Sequence, residues 1–171
     1  MSANGSGSRF FEDVSVGEEL PPLHKQIDLP RMMAYGAATW DFIRVHYDAD
    51  HVRELGFPGP FVDGQMLGAF LAQHVQDWVG PGAFLRKLGF RNRVMVYPGD
   101  SLTCWGVVTS LYREGDDPST SSGQAHSAGP SEGPGFAECD LWIENQRGER
   151  VVDRANAVVQ LPLRAESGQR R

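Results

Sequence analysis

Asp41 and His46, in the run Trp40-Asp41-Phe42-Ile43-Arg44-Val45-His46-Tyr47-Asp48, are the residues of this chain best suited to acid–base chemistry. A carboxylate and an imidazole sharing one water can hold it and take its proton, and an imidazole does so near neutral pH. Five positions apart on an unbroken helix they would face directions about 140° apart. They meet only if the helix stops and the chain turns. By spacing alone the plainer reading, a surface acid at a helix end and a loop histidine, stands ahead.

The elements around them follow from local pattern. Pro30 suits the first turn of a helix, and a helix is expected over about Arg31 to Trp40. A shorter one is expected over Asp50 to Leu55, ended by Gly56 and Pro58-Gly59-Pro60. The run Asp63 to Val79, closed by Gly80-Pro81, reads as one long helix with Asp63 as N-cap and Gly80 just past its end. It would be about 24 Å long. Its apolar residues cover most of its circumference, which predicts burial on several sides, with Gln73, His74, Gln76 and Asp77 forming the polar part.

Strands come before and after. His24 to Leu29 reads as a short strand and Phe84 to Val96 as a strand with a bend. Beyond the turn Tyr97-Pro98-Gly99-Asp100 lies Ser101 to Tyr112, rich in Thr, Val and Trp. Ala137, Cys139, Leu141 and Ile143 alternate with polar or outward residues, the clearest period of two in the chain. A turn at Asn145 to Glu149 leads to a last strand, Val151 to Leu161. Residues 1–8 and 164–171 read as flexible tails, and about 113–135, dense in Ser, Gly, Pro and Asp, as a mobile loop within one domain spanning 9–163. One long apolar helix with a run of antiparallel strands gives an α+β class in which the sheet covers the helix.

Composition narrows the function. The chain has 171 residues, 40% hydrophobic and 22% charged, enough for one globular domain with a sizeable core. Its net charge of −6, without a stripe of Lys and Arg, argues against nucleic acid as a partner. No apolar run approaches the roughly 18 residues of a membrane span, and the Gly/Ser-rich start is not a secretory signal, so the cytoplasm is expected. Cys104 and Cys139 are too few for a disulfide framework and read as packed strand residues. Histidine and cysteine show no metal-site spacing, and no Gly-x-Ser-x-Gly nucleophile motif is present. His74 reads as a satisfied interface residue, His51 as part of a surface helix, and His24 and His126 as strand-edge and loop residues.

Several motifs share an order and spacing that resemble the MaoC-like (R)-specific enoyl-CoA hydratase family. They are Asp41-x4-His46, Gly56-Phe57, Pro60-Phe61-Val62-Asp63-Gly64, the turn Tyr97-Pro98-Gly99-Asp100-Ser101-Leu102, and the opening Phe11-Glu12-Asp13-Val14-x-Val16-Gly17. The likeness runs from about residue 10 to 162. Asp41-Phe42-x-x-Val45-His46-x-Asp48 and Asp77-Trp78-x-Gly80-Pro81 look like the small, dyad-bearing subunit of two-component hydratases from steroid side-chain breakdown. Two positions depart from the pattern. Asp63 stands where the family has His, and Arg44-Val45 where it has Asn-Pro.

The resemblance implies a hotdog fold, an antiparallel sheet wrapped around a central helix. It implies a homodimer, or a heteromer with a second MaoC-like protein, and a coenzyme A thioester as substrate with no separate cofactor. Asp41 and His46 would then hold the water that adds across a 2-enoyl thioester, on a steroid side chain or another bulky acyl group. The backbone amide of Gly64, at the start of the central helix, would face the thioester oxygen. Arg86, Lys87, Arg91 and Arg93 are the densest basic group and could meet the phosphates of coenzyme A, or equally form a solvated strand face. Two other readings stay open: a non-catalytic hotdog partner of another subunit, and an acyl-CoA thioesterase using Asp63, which otherwise reads as an N-cap.

Overall fold

A computed structural model describes residues 7–114 and 133–164. Most of the expected mobile loop, the ends of both expected tails, and His126 lie outside the described residues.

Five strands form one antiparallel sheet: β1 (Leu23–Gln26), β2 (Phe84–Asn92), β3 (Ser101–Arg113), β4 (Gly135–Asn145) and β5 (Arg150–Leu161). Their spatial order is β1-β3-β4-β5-β2. β4 buries Ala137, Cys139, Leu141 and Ile143 on one face, as its alternation predicts. Against that face lies the long helix α3 (Gly64–Val79), placing Leu71, Val75 and Val79 in the same core as Val108, Cys139, Ile143 and Val159. The fold is the expected α+β arrangement of a sheet around one long helix.

The α3 boundaries follow from its caps. The Asp63 carboxylate accepts from the Gln65 N–H at 2.8 Å, and Gly80 takes φ 77°, a conformation that a side chain disfavours. Gly68 is needed for close packing, since a Cβ there would lie 2.4 Å from the Phe90 ring of β2. α3 is nevertheless buried on one broad side only. Gln65, Ala69, Gln73, Gln76 and Asp77 are exposed along the other, a stripe that residue counting alone does not resolve.

Two further expectations change. His74 is 2% exposed inside the chain: its Nε2 donates to the Pro21 carbonyl at 2.9 Å, and its Nδ1 has no partner. With Trp78 Nε1 donating to Glu18, it ties the entry segment to the back of α3, so its role is internal packing. The ends of the domain are also held. Ser8 Oγ accepts from the Gly82 N–H at 2.9 Å, and Arg164 pairs with Asp13 and lies over the Phe10 ring.

Candidate active site

The geometry at Asp41 is set by how the first helix, α1 (Leu29–Thr39), ends. Asp28 caps its start by accepting from the Arg31 N–H at 2.8 Å. At its other end Trp40 takes a left-handed backbone, φ 61°, and reverses the chain. The Asp41 N–H then returns to the Gly36 carbonyl at 2.8 Å. This hook is tight, because a Cβ on Gly36 would lie 2.6 Å from the Asp41 carbonyl oxygen. Asp41 is therefore already outside the helix, and the rotational obstacle to its meeting His46 does not arise.

His46 closes a single 3₁₀ turn, Arg44–His46. Arg44 grips Asp48 through Nε at 3.0 Å and an Nη at 2.8 Å, while the other Asp48 oxygen accepts from the His51 N–H and caps α2 (Ala49–Glu54). The amide and the guanidinium together hold the Asp48 carboxyl below its ordinary range. Arg44, which departs from the family pattern, thus fixes the turn that carries His46. The returning loop is tied by the Phe57, Phe61 and Val62 N–H groups, which donate to the carbonyls of Val52, Val45 and Val96 at 3.1, 3.3 and 2.8 Å.

That loop orients the imidazole. His46 Nδ1 lies 2.7 Å from the Phe61 carbonyl oxygen, and the Phe61 ring packs edge-on against it. A carbonyl only accepts, so Nδ1 carries the proton and Nε2 is left as the basic nitrogen. Asp41 is oriented similarly, one oxygen accepting from the Ile43 N–H at 3.1 Å.

Asp41, His46 and Asp63 come together, each offering one ligand atom within 4.8 Å of the others. The three side chains line one cavity of about 350 Å³, completed by Met32, Met33, Ala37, Phe42, Tyr47 and Met66. Burial first, then the Asp63 and Asp41 carboxylates, raise the pKa of the neighbouring Tyr35 phenol. Among the described residues this is also the one group of His, Cys, Asp and Glu spaced to hold a cation.

The remaining expected site residues lie apart from this wall. Gly64 follows Asp63 as the first residue of α3, where its N–H has no intrahelical acceptor, but it does not itself line the cavity. Asn92 covers it, its amide nitrogen 2.2 Å from where a Gly64 Cβ would stand. Arg86, Lys87, Arg91 and Arg93 spread over roughly 20 Å of exposed edge strand and its continuation. None lines the cavity, Arg93 pairs with Asp153 at 3.2 Å, and Arg86 lies over the Phe84 ring. Sequence reasoning passed over the apolar wall and Asn92, because methionines and a lone asparagine carry no spacing signal. Asp63 it did find, and it read the residue as a cap.

No family model matches the chain. Among curated proteins it is similar to the 3-oxo-4,17-pregnadiene-20-carboxyl-CoA hydratase beta subunit of Mycobacterium tuberculosis. The two are 33% identical over 96 residues, 56% of this chain and 74% of that protein. The chain belongs to the MaoC-like enoyl-CoA hydratase family. As a member it is a hydro-lyase with the hotdog fold. It also resembles a chain of the ChsH1-ChsH2 complex from Mycobacterium tuberculosis, at 27% identity and a TM-score of 0.63, over 88% of this chain and 98% of that one. The (R)-hydratase PhaJ1 from Pseudomonas aeruginosa shares the fold, with a TM-score of 0.72 at 20% identity over 91% of this chain and 86% of that one.

Proposed function

We propose that this MaoC-like hydratase adds water across the 2,3-double bond of a 2-enoyl-CoA thioester, with Asp41 and His46 as the residues that hold and activate the water. The observation that carries the reading is His46, its Nδ1 engaged with the Phe61 carbonyl so that Nε2 is the basic nitrogen of the neutral ring, beside Asp41 in one cavity wall.

The chemistry follows from these groups. The water lies between Asp41 and His46 Nε2. As its oxygen bonds to C3, one O–H bond breaks and the proton passes to Nε2. The π electrons of the double bond move toward the thioester carbonyl and form an enolate. The imidazolium then returns its proton to C2, giving a 3-hydroxyacyl thioester and a neutral histidine. Negative charge peaks on the thioester oxygen, and the Gly64 N–H at the positive end of α3 is the donor suited to it once the thioester reaches past the Asp63 edge of the cavity and displaces the covering Asn92. Removing one such donor typically raises a barrier by roughly 3 kcal/mol. No group beyond the substrate's own coenzyme A is required.

The cavity wall of Met32, Met33, Ala37, Phe42 and Met66 favours a bulky apolar acyl group, and the pregnadiene-carboxyl thioester named for the Mycobacterium tuberculosis relative makes a steroid side chain the first substrate to try. A second MaoC-like subunit is the partner this reading calls for. Among the described residues β2 is an edge strand with no partner on its outer side, exposed Met33 and Phe42 line the cavity, and Trp40 and Ile43, close by in sequence, are also exposed. The basic side chains along β2 are candidates for the coenzyme A phosphates.

Enoyl-CoAs from short linear to steroid-linked, offered to the chain alone and with its co-purifying partner, test the proposal. Loss of the conjugated double bond with formation of a 3-hydroxyacyl-CoA is expected. Release of free coenzyme A without hydration would make the chain a thioesterase. Turnover that survives loss of both dyad side chains would make it a supporting subunit.

A further inference from the structure

Asp63 occupies two structures at once. One oxygen accepts from the Gln65 N–H and caps α3; the other accepts nothing among the described residues. The same division holds for its two neighbours. Asp41 spends one oxygen on the Ile43 N–H, and His46 spends Nδ1 on the Phe61 carbonyl. Each side chain is therefore fixed through one atom and free at another, and ligand atoms of the three stand within 4.8 Å of one another in a single cavity wall. Two hydrogen bonds of about 2.8 Å from one water, opened to a tetrahedral angle, span about 4.6 Å. The trio thus has the dimensions of a water site, with two carboxylates and an imidazole around it.

We infer that Asp63 is a third catalytic residue of the hydration reaction, sharing with Asp41 the second hydrogen of the water whose first proton His46 removes. A water has two hydrogens. With one directed at His46 Nε2 and the other at a carboxylate, its lone pair is aimed away from the wall, toward C3 of the substrate. Two carboxylates on separate elements, Asp41 after the α1 hook and Asp63 on the α3 cap, leave that water fewer orientations than one would. Asp63 accepts a hydrogen bond and takes no proton, so the balance of the step is unchanged.

The inference rests on the hydratase reading, and the test separates the two. Asn and Ser cap a helix about as well as Asp. Asp63→Asn and Asp63→Ser therefore preserve the cap while removing the carboxylate. With an enoyl-CoA that the wild-type protein hydrates, both variants should lose 10-fold or more in kcat, with KM within about 3-fold and Tm within about 2 °C of wild type. Asp63→Glu should recover part of the loss. Wild-type kcat in the Asn and Ser variants would overturn the inference while leaving the hydratase standing, as would a kcat loss matched by a fall in Tm. A wild-type protein that hydrates no enoyl-CoA, alone or with its partner, would instead remove the reading beneath it.

Discussion

The imidazole of His46 donates through Nδ1 to the carbonyl oxygen of Phe61, 2.7 Å away and fifteen positions along the chain. That bond assigns the basic nitrogen, and it depends on backbone alone, so side-chain exchange at 61 leaves it in place. His46→Ala and Asp41→Asn should each lower kcat by about 10² to 10⁴, the range for a positioned acid–base group. Both side chains are only half-buried, so Tm should stay within a few degrees. Stopped assays beside a thermal scan check this; near-normal turnover in either variant contradicts the assignment.

Gly36 gives a test at a distance from any reacting atom. A methyl there would stand 2.6 Å from the Asp41 backbone oxygen, which must then move. Gly36→Ala should raise helix propensity by about 1 kcal/mol yet cut kcat at least 10-fold, because Asp41 shifts off the water. An Ala variant with full activity would show that the hook has slack.

Cys104 and Cys139 are both buried, and burial pushes each thiol up to about 12. Thiolate is the reactive form, so neither should react with iodoacetamide at pH 8 in the folded protein. Both should react in denaturant, as mass spectrometry would record. Labelling of the native chain at either position would contradict the burial.

His74 predicts a pH effect on stability. Burial lowers its pKa below the ordinary 6.5, against smaller upward contributions from the Pro21 carbonyl and Asp77. The fold favours the neutral ring, so its full contribution is present above about pH 6.5. As pH falls below that, the unfolded chain takes up a proton that the folded one resists, and stability is lost. The stability advantage of wild type over His74→Gln should therefore shrink between pH 7.5 and 5.5. A constant difference, measured by urea unfolding at each pH, would refute it.

The sheet was readable because β4 alternates on a half-buried face, and α3 because Asp63 and Gly80 mark its ends within a residue. The meeting of Asp41 and His46 was harder to read. It depends on Trp40 adopting φ 61°, a conformation for which a tryptophan gives no local signal. His74 eludes sequence pattern for a similar reason: periodicity places it beside Gln73 and Asp77, but the Pro21-Pro22 segment folds back over it. Tertiary cover of this kind leaves no mark on the helix that receives it. Asp63 shows the reverse limit, since a convincing cap signal hid the second oxygen.

The register of β2 against β5 slips twice, between Leu85 and Lys87 and again between Gly89 and Arg91. Its outward rim is consequently kinked and studded with cations. A straight, indiscriminate β-segment meeting that rim would lose contact at each kink.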